Sequence, residues 1–232
     1  MMKHFMLFYS CVTAVIITIA STFPTGGFSH SMGIEAAIQN FYTDNQSNLK
    51  NYILCSLENT GSFCIPYVRA SYESAFDLKQ ITELDSAHNA ALLNHVAHRA
   101  SKQQGKALLT TSCEVFKFSQ LQDLKEIVDE QKTHCHFPIV FGVLCATLNI
   151  PIKKVGRMFL FNSLRTLIAS TVRLGKIGTV QAQNWQHCIM NSLDDILSRY
   201  WQLPWDEACI TYPIVEVLQN SHDKMFSKLF FS

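Results

Sequence analysis

Residues 84–109 read LDSAHNAALLNHVAHRASKQQGKALL, and their pattern indicates the fold class of the chain. Small and apolar side chains recur there at helical spacing, which predicts one long, closely packed helix. These side chains are Ala87, Ala90, Ala91, Leu93, Val96, Ala97 and Ala100. Alternating apolar and polar runs, which would indicate strands, are almost absent from the rest of the chain. We therefore predict an all-α protein, folded as a single helical domain of roughly ten helices.

Local signals predict where several of the other helices begin and end. Residues 59–62, Asn-Thr-Gly-Ser, are typical of a turn that ends a helix. Ser119 and Gln122 match a capping box, which predicts a helix over residues 120–132. Pro204 and Asp206 predict the start of a last helix that reaches about His222.

Composition excludes several classes of protein. The chain has 232 residues, of which 48% are apolar and 16% charged, so it can bury a sizeable core and is not a disordered chain. Its 19 Lys and Arg residues against 18 Asp and Glu leave a formal charge of +1, which excludes nucleic-acid binding by bulk electrostatics. The 16 phenylalanines must lie in a core or an interface.

Cysteine spacing and nucleotide-binding motifs point away from a catalytic centre. The eight cysteines include no C-x-x-C pair, so zinc-ribbon and thioredoxin-like sites have no support, and scattered free thiols are the favoured interpretation. The sequence contains no phosphate-binding loop and no G-x-G-x-x-G, H-E-x-x-H or G-x-S-x-G motif. We therefore expect that the chain alone neither binds nor hydrolyses a nucleotide, and we expect no stably bound cofactor.

Two groups of histidines are weak candidates for metal ligands. His134, Cys135 and His136 are consecutive and could catch Ni²⁺ or Zn²⁺, although neighbouring residues in a loop rarely all reach one ion. His88, His95 and His98 could share one face of the long helix, where a solvated polar face is the favoured interpretation. A metal-dependent enzyme that uses these side chains is the competing hypothesis.

The first twenty residues have the pattern of a targeting segment. Residues 5–20 are apolar and uncharged, Lys3 precedes them, and small residues close the run, as in a secretory signal peptide. The run is short for a membrane span, so no membrane partner is expected. We divide the chain into a divergent apolar segment at 1–20, either signal-peptide-like or a first helix, and a helical domain at 21–232.

The most specific segment is FPTGGFSHSMGIEAA, at residues 23–37. Pro24 restricts the backbone, and the pair Gly26-Gly27 permits a sharp turn. Polar residues then crowd the expected start of a helix, and Glu35 follows in its first turns. This segment resembles the signature of the UreF family of urease accessory proteins. An ordinary structural turn is the alternative interpretation.

Further segments resemble the same family in the same order along residues 21–232. They are Asn94-His95-Val96, Arg99-Ala100-Ser101 and Gln104-Gly105-x-Ala107-Leu108-Leu109 in the long helix, His136-x-Pro138-x-x-x-Gly142, Ala169-Ser170-x-x-Arg173-Leu174, Pro213-x-x-Glu216, His222-Asp223 and the tail 227–232. Two positions depart from the family tail, which usually ends Arg-Leu-Phe-Arg-Ser. Lys228 and Phe231 replace its two arginines, and a lysine lacks the planar fork that binds a carboxylate with two hydrogen bonds.

The resemblance implies a function. UreF-like proteins are non-enzymatic assembly factors for the nickel centre of urease. The implied partners are a UreH/UreD-like accessory protein, a UreG-like GTPase and apo-urease. A UreF-like protein is expected to modulate the activity of the GTPase and to form a homodimer within the complex. Nickel is handled by the complex. The resemblance also implies that the protein is cytoplasmic. The alternative hypothesis is a helical protein-interaction module that is secreted or repurposed and has no role with urease.

The resemblance also implies the residues that contact partners. The expected set is Pro24, Gly26, Gly27, Phe28, Ser29, His30, Ser31, Gly33, Glu35, Arg173, His222, Lys224, Lys228, Leu229, Phe230 and Ser232. The apolar tail with its interleaved lysines suits docking in a groove of the UreH/UreD-like partner. The alternative is that the tail folds back on its own chain.

Overall fold

The computed structural model of the chain describes residues 27–40 and 45–231. Within these ranges all regular structure is helical, so the predicted all-α domain of roughly ten helices is confirmed. The helices are α1 (Ile34–Gln39), α2 (Gln46–Asn59), α3 (Ile65–Glu73), α4 (Leu78–Ala91), α5 (His95–Phe116), α6 (Ser119–Asp129), α7 (Phe137–Thr147), α8 (Ile152–Arg173), α9 (Thr179–Tyr200) and α10 (Pro213–Asn220). Short 3₁₀ turns occupy Gly27–Ser29, Trp205–Glu207 and Ser221–Lys224.

Helix α7 is the centre of the core. Every residue from Phe137 to Thr147 is buried, because the helix is apolar on all sides and neighbouring helices cover it. Gly142 lets α7 lie directly against α3, since a Cβ atom at that position would come within 2.0 Å of Ser71 Oγ and 2.5 Å of the Val68 carbonyl oxygen. No helix in the described part of the chain combines the length and the apolar character needed to cross a bilayer.

The single long helix predicted over residues 84–109 is wrong. The structure divides it into α4 and α5, and the break lies at Leu92, Leu93 and Asn94. Asn94 starts α5 as its N-cap, because its Oδ1 accepts hydrogen bonds from the backbone N–H groups of Val96 and Ala97. The helical spacing runs through the break, so periodicity alone does not reveal it.

The turn predicted at residues 59–62 is also wrong. Residues Thr60–Cys64 form a π-helical turn that joins α2 to α3 without leaving the helical path. Gly61 serves close packing here, because a Cβ atom would lie 2.3 Å from Ile196 Cγ2 of α9. The Asn59 side chain instead holds a distant loop, and its Oδ1 accepts from the N–H groups of Thr211 and Tyr212.

Two predicted helix starts differ from the structure. The capping box at Ser119 does not form, because α6 begins at Ser119 itself and the Ser119 hydroxyl faces the Gln120 side chain. The last helix begins at Pro213 rather than near Pro204, and an extended stretch after Trp205–Glu207 precedes it. A proline opens a helix wherever its missing N–H needs no partner, so both prolines were suitable starts.

Candidate partner-binding site

The described part of the 23–37 motif forms a compact turn in front of α1. Gly33 is the N-cap of α1 with φ of +82°, a left-handed conformation that favours glycine. A Cβ atom on Gly33 would lie 2.3 Å from the Tyr52 hydroxyl, which donates a hydrogen bond to the Met32 carbonyl oxygen. The turn is thus fixed both by its own backbone and by α2.

Glu35 connects this turn to the C-terminal tail. Its side chain is 2% exposed, and its two carboxylate oxygens accept hydrogen bonds from the backbone N–H groups of Leu229 (2.5 Å) and Phe230 (3.1 Å). The ring nitrogen Nε2 of buried His222 lies 3.3 Å from Glu35 Oε2. A buried carboxylate needs such partners, so Glu35 holds the tail across 194 positions of sequence.

Arg173 at the end of α8 makes a second connection between the two chain ends. Its guanidinium carbon lies 3.9 Å from the ring centre of Phe28 and 4.3 Å from that of Phe230, so it makes cation–π contacts with both rings. Arg173 Nη1 also donates to the Phe28 carbonyl oxygen. The Phe231 N–H donates to the Ser29 carbonyl oxygen at 2.9 Å, which completes the attachment of the tail.

Asp223 fixes the start of the tail to α5. Arg99 donates two hydrogen bonds to its carboxylate, at 2.9 and 3.2 Å, and His95 Nε2 lies 3.0 Å from the same group. These hydrogen bonds from Arg99 are the main reason that the pKa of Asp223 falls to about 2. Lys228 donates to the Asp223 backbone carbonyl oxygen at 3.1 Å, so this lysine is held within its own chain.

The two chain ends, which are joined through Arg173, expose large apolar side chains that we together call the aromatic face. It consists of the exposed side chains Phe28, Phe226, Leu229 and Phe231. Phe230, in contrast, is 4% exposed and packs inside the chain. The tail therefore folds back on its own chain, as the alternative hypothesis held, and still exposes most of its large apolar side chains.

The predicted partner-binding residues fall into three groups. The buried residues are Gly27, His30, Ser31, Gly33, Glu35, His222 and Phe230. Residues with solvent-exposed or half-buried side chains are Phe28, Ser29, Arg173, Lys224, Lys228 and Leu229. Pro24, Gly26, Ser232 and the segment 1–20 lie outside the described residues. Tertiary structure also adds Arg99 and Asp223 to the site, a pairing that no local sequence signal indicates.

The histidines of α4 and α5 do not share a face. His88 is buried at 1% exposure, with its ring 4.6 Å from that of His136, so the predicted solvated face is wrong for this residue. His98 reaches Asn89, which also contacts His136, whereas His95 points to Asp223 instead. His88 of α4 and His98 of α5 therefore both approach the ring of His136, and His95 is the one of the three that is directed elsewhere.

The 134–136 segment is organised by an aspartate that sequence reasoning missed. Asp85 is 1% exposed and accepts hydrogen bonds from the backbone N–H groups of His134, Cys135 and His136 and from the Thr133 hydroxyl. The only local indication of this role in the sequence is that an acidic residue, Asp85, occupies a helical position next to apolar residues. In the described residues no group of three or more His, Cys, Asp or Glu side chains lies close enough to hold a metal ion.

Buried histidines predict a loss of stability in acid. Burial lowers the pKa of His30 and of His136 to about 4, from an ordinary value of 6.5. Their pKa is lower in the folded state than in the unfolded state, so the unfolded state binds the proton more readily. The free energy of unfolding is therefore highest above pH 6.5 and decreases as the pH falls toward 4. Each histidine should contribute a slope of ~1.4 kcal/mol per pH unit in this window.

Urea unfolding measured between pH 7.5 and pH 4 tests this expectation. His136→Gln should flatten the pH dependence, whereas the same change at exposed His187 should leave it as in the parent chain. A parent chain whose free energy of unfolding stays constant from pH 6.5 to 4.5 would contradict the assignment.

Comparison with known proteins identifies the family. A family model described as UreF matches residues 43–189. Urease accessory protein F of Arabidopsis thaliana is 35% identical over 216 residues, which cover 91% of this chain and 89% of the relative. The protein of the same name from Oryza sativa subsp. indica is 34% identical over 212 residues, with 90% and 81% covered. Urease accessory protein UreF of Paenarthrobacter aurescens (strain TC1) is 25% identical over 218 residues, with 91% and 94% covered. The resemblance in the sequence motifs is confirmed, and the chain belongs to the UreF family of urease accessory proteins.

Proposed function

We propose that this chain is a non-enzymatic scaffold in the assembly of the nickel centre of urease. It joins a UreH/UreD-like accessory protein to a UreG-like GTPase, modulates that GTPase and docks on apo-urease, in the cytoplasm and as a homodimer within the complex. Nickel is the cargo of the complex rather than a resident cofactor of this chain. Membership of the UreF family supports this function, as do relatives named urease accessory protein.

The observation that carries the proposal is the aromatic face. Aromatic side chains are enriched at the energetic centres of interfaces, and three of these four exposed apolar residues lie within six positions of the tail. Phe226 is fully exposed and Phe28 is 69% exposed, although the carbonyl oxygen of Phe28 accepts from Arg173 and that of Ser227, next to Phe226, accepts from Gln39. Their exposure is therefore a property of the folded chain and not of a loose end.

The way in which the face is held favours binding. Glu35 and Arg173 fix the backbone around Phe28 and Phe230, so little conformational entropy remains to be lost when a partner docks. Lys224 and Lys228 are exposed and alternate in sequence with the apolar tail residues, so they add positive charge to the tail. A complementary partner would present an apolar pocket with acidic residues at its rim, and by family we assign that pocket to the UreH/UreD-like protein.

Co-expression with cognate UreH/UreD-like and UreG-like proteins, followed by the mass of the purified complex, tests this function. Deleting residues 222–232 would also remove Asp223 and Phe230, which stabilise the fold, so point variants are the cleaner probe. We expect the double variant Phe226→Ala, Phe231→Ala to fold normally and to bind the UreH/UreD-like protein at least tenfold more weakly, because truncating interface aromatics costs about 1–2 kcal/mol or more.

Phe76→Ala is the matched control, since Phe76 is 69% exposed and lies outside the aromatic face. It should leave the complex intact. Full binding by the double variant would contradict the placement of this interface. The absence of any complex with the parent chain would contradict the assembly function itself and favour a secreted or repurposed interaction module.

A further inference from the structure

A second surface feature lies away from the aromatic face, between α5, α6 and the loop that follows α6. It is a cleft of about 490 Å³, which we call the basic cleft. Lys102 and Lys106 of α5 line one wall, Lys125 of α6 lines another, and His134 of the loop closes it. Asp129 is the acidic residue of the lining, so three lysines against one aspartate leave a formal charge of +2. The whole chain carries only +1, so this cleft is a local concentration of positive charge.

The three lysines form no salt bridge within the described part of the chain. None of them takes part there in an ion pair or a side-chain hydrogen bond. Lys102 and Lys125 are nevertheless half-buried. Asp129 lies four positions after Lys125 on α6 and offsets part of the positive charge, whereas the i, i+4 spacing of Lys102 and Lys106 places two like charges next to each other on α5.

The positive charge of the cleft affects the pKa of a neighbouring histidine. The charge of Lys102 contributes, after burial, to lowering the pKa of His98. The Asp85 carboxylate acts in the opposite direction on His98, but it is buried and does not line the cleft, where it accepts no hydrogen bond from the lysines and instead accepts four from residues 133–136. Those hydrogen bonds also fix the loop, so His134 is held at the cleft wall before any ligand arrives.

We propose that the basic cleft binds a small phosphate-bearing molecule, with a pyrophosphate or a phosphate ester as the chemical class. Lysine ammonium groups converging from two helices suit a compact group with several negative charges, because lysine acts as a point charge. Leu109 and Val128 supply an apolar floor for the remainder of such a molecule. A bound anion would remove the repulsion among the three lysines and stabilise the fold by mass action.

Size and composition favour a small ligand over an acidic segment of a partner protein. The volume is in the range of small-molecule sites, ~300–1,000 Å³. A stable protein interface instead buries ~800 Å² on each partner and is centred on aromatic or arginine anchors, and the cleft lining contains neither residue type.

Isothermal titration calorimetry of the full chain with inorganic phosphate and with pyrophosphate tests the proposal, with ionic strength held constant by chloride. We expect saturable binding of pyrophosphate in the micromolar to low-millimolar range and weaker binding of phosphate. Lys102→Gln and Lys125→Gln should each weaken pyrophosphate binding about tenfold, because each removes one charge-assisted contact. The paired control is Lys153→Gln, Lys154→Gln, which lowers the net charge by two at exposed positions outside the cleft.

The outcomes separate the alternatives. Loss of binding in the cleft variants with retention in the control supports the site. Absence of saturable binding by both phosphate and pyrophosphate, or equal binding in the Lys102 and Lys125 variants and the control, overturns it. A short polyglutamate peptide that binds the cleft more tightly than pyrophosphate would also overturn it and would assign the cleft to an acidic protein segment. Because none of these arms involves urease partners, their failure leaves the scaffold function untouched.

Discussion

Glu35→Ala is expected to lower the free energy of unfolding by about 3 kcal/mol and to release the C-terminal tail from the body of the protein. The substitution removes the carboxylate that accepts from the N–H groups of Leu229 and Phe230 and contacts His222. The buried N–H of Phe230, the part-buried N–H of Leu229 and the buried His222 imidazole would then lose their acceptor. Because such groups bind water strongly in the unfolded chain, the folded state is weakened.

Urea unfolding measures the loss of stability of Glu35→Ala, and hydrogen exchange of the backbone amides at residues 229–231 measures the release of the tail. Exchange there should rise toward the rate of an unfolded peptide. Glu35→Gln retains one acceptor oxygen and should fall between the parent chain and the alanine variant. Glu114→Ala is the matched control, since Glu114 is exposed on α5 and its loss should change stability by no more than ~0.5 kcal/mol. A tail that stays protected in Glu35→Ala would show that Arg173 and the phenylalanine contacts suffice.

This substitution also probes the proposed interface. The aromatic face needs both chain ends in register, so Glu35→Ala should weaken binding of the UreH/UreD-like partner even though Glu35 itself is buried. If the partner instead binds an already released tail, the same variant would bind equally well or more tightly. The two outcomes separate a preformed face from one that assembles on docking.

Asp85→Ala is expected to have a larger effect on stability, about 4 kcal/mol, because Asp85 is 1% exposed and accepts four hydrogen bonds. Three of the donors are consecutive backbone N–H groups of residues 134–136. Cys135 among them has a φ of +68°, so this loop adopts a backbone conformation that Asp85 helps to hold. Without the carboxylate, the loop should lose its fixed shape, and the His134 wall of the basic cleft should loosen with it.

Urea unfolding and amide exchange at residues 133–136 test this expectation. Asp85→Asn keeps the size of the side chain but replaces one acceptor oxygen with a donor group that faces other donors, so it should also be strongly destabilising. Asp123→Ala, on the exposed side of α6, is the control and should have little effect. A change in free energy below 1 kcal/mol for Asp85→Ala would contradict the role given to this carboxylate.

Much of the fold follows from local sequence. The spacing of apolar residues predicts helices throughout, and the apolar run at 137–147 corresponds to the central helix α7. The motif at 23–37 and the tail both stand out in the sequence as functional segments, because their residue types are dense and specific. Local signals also led to four errors, at the α4–α5 break, at the π-helical turn, at the Ser119 capping box and at the start of α10. At the π-helical turn the outcome depended on a distant contact, that of Gly61 with Ile196.

The sequence by itself determined that this protein is a helical member of the UreF family and which segments carry its most specific residues. Only the tertiary structure decided that those segments meet, that Glu35 and Phe230 are buried while Phe28 and Phe231 are exposed, and that three lysines gather at one cleft. The physical reason is that helical periodicity acts over a few residues along the chain. The hydrogen bonds of Glu35 and Asp85 join residues 48 to 195 positions apart, and only packing in three dimensions selects such pairs.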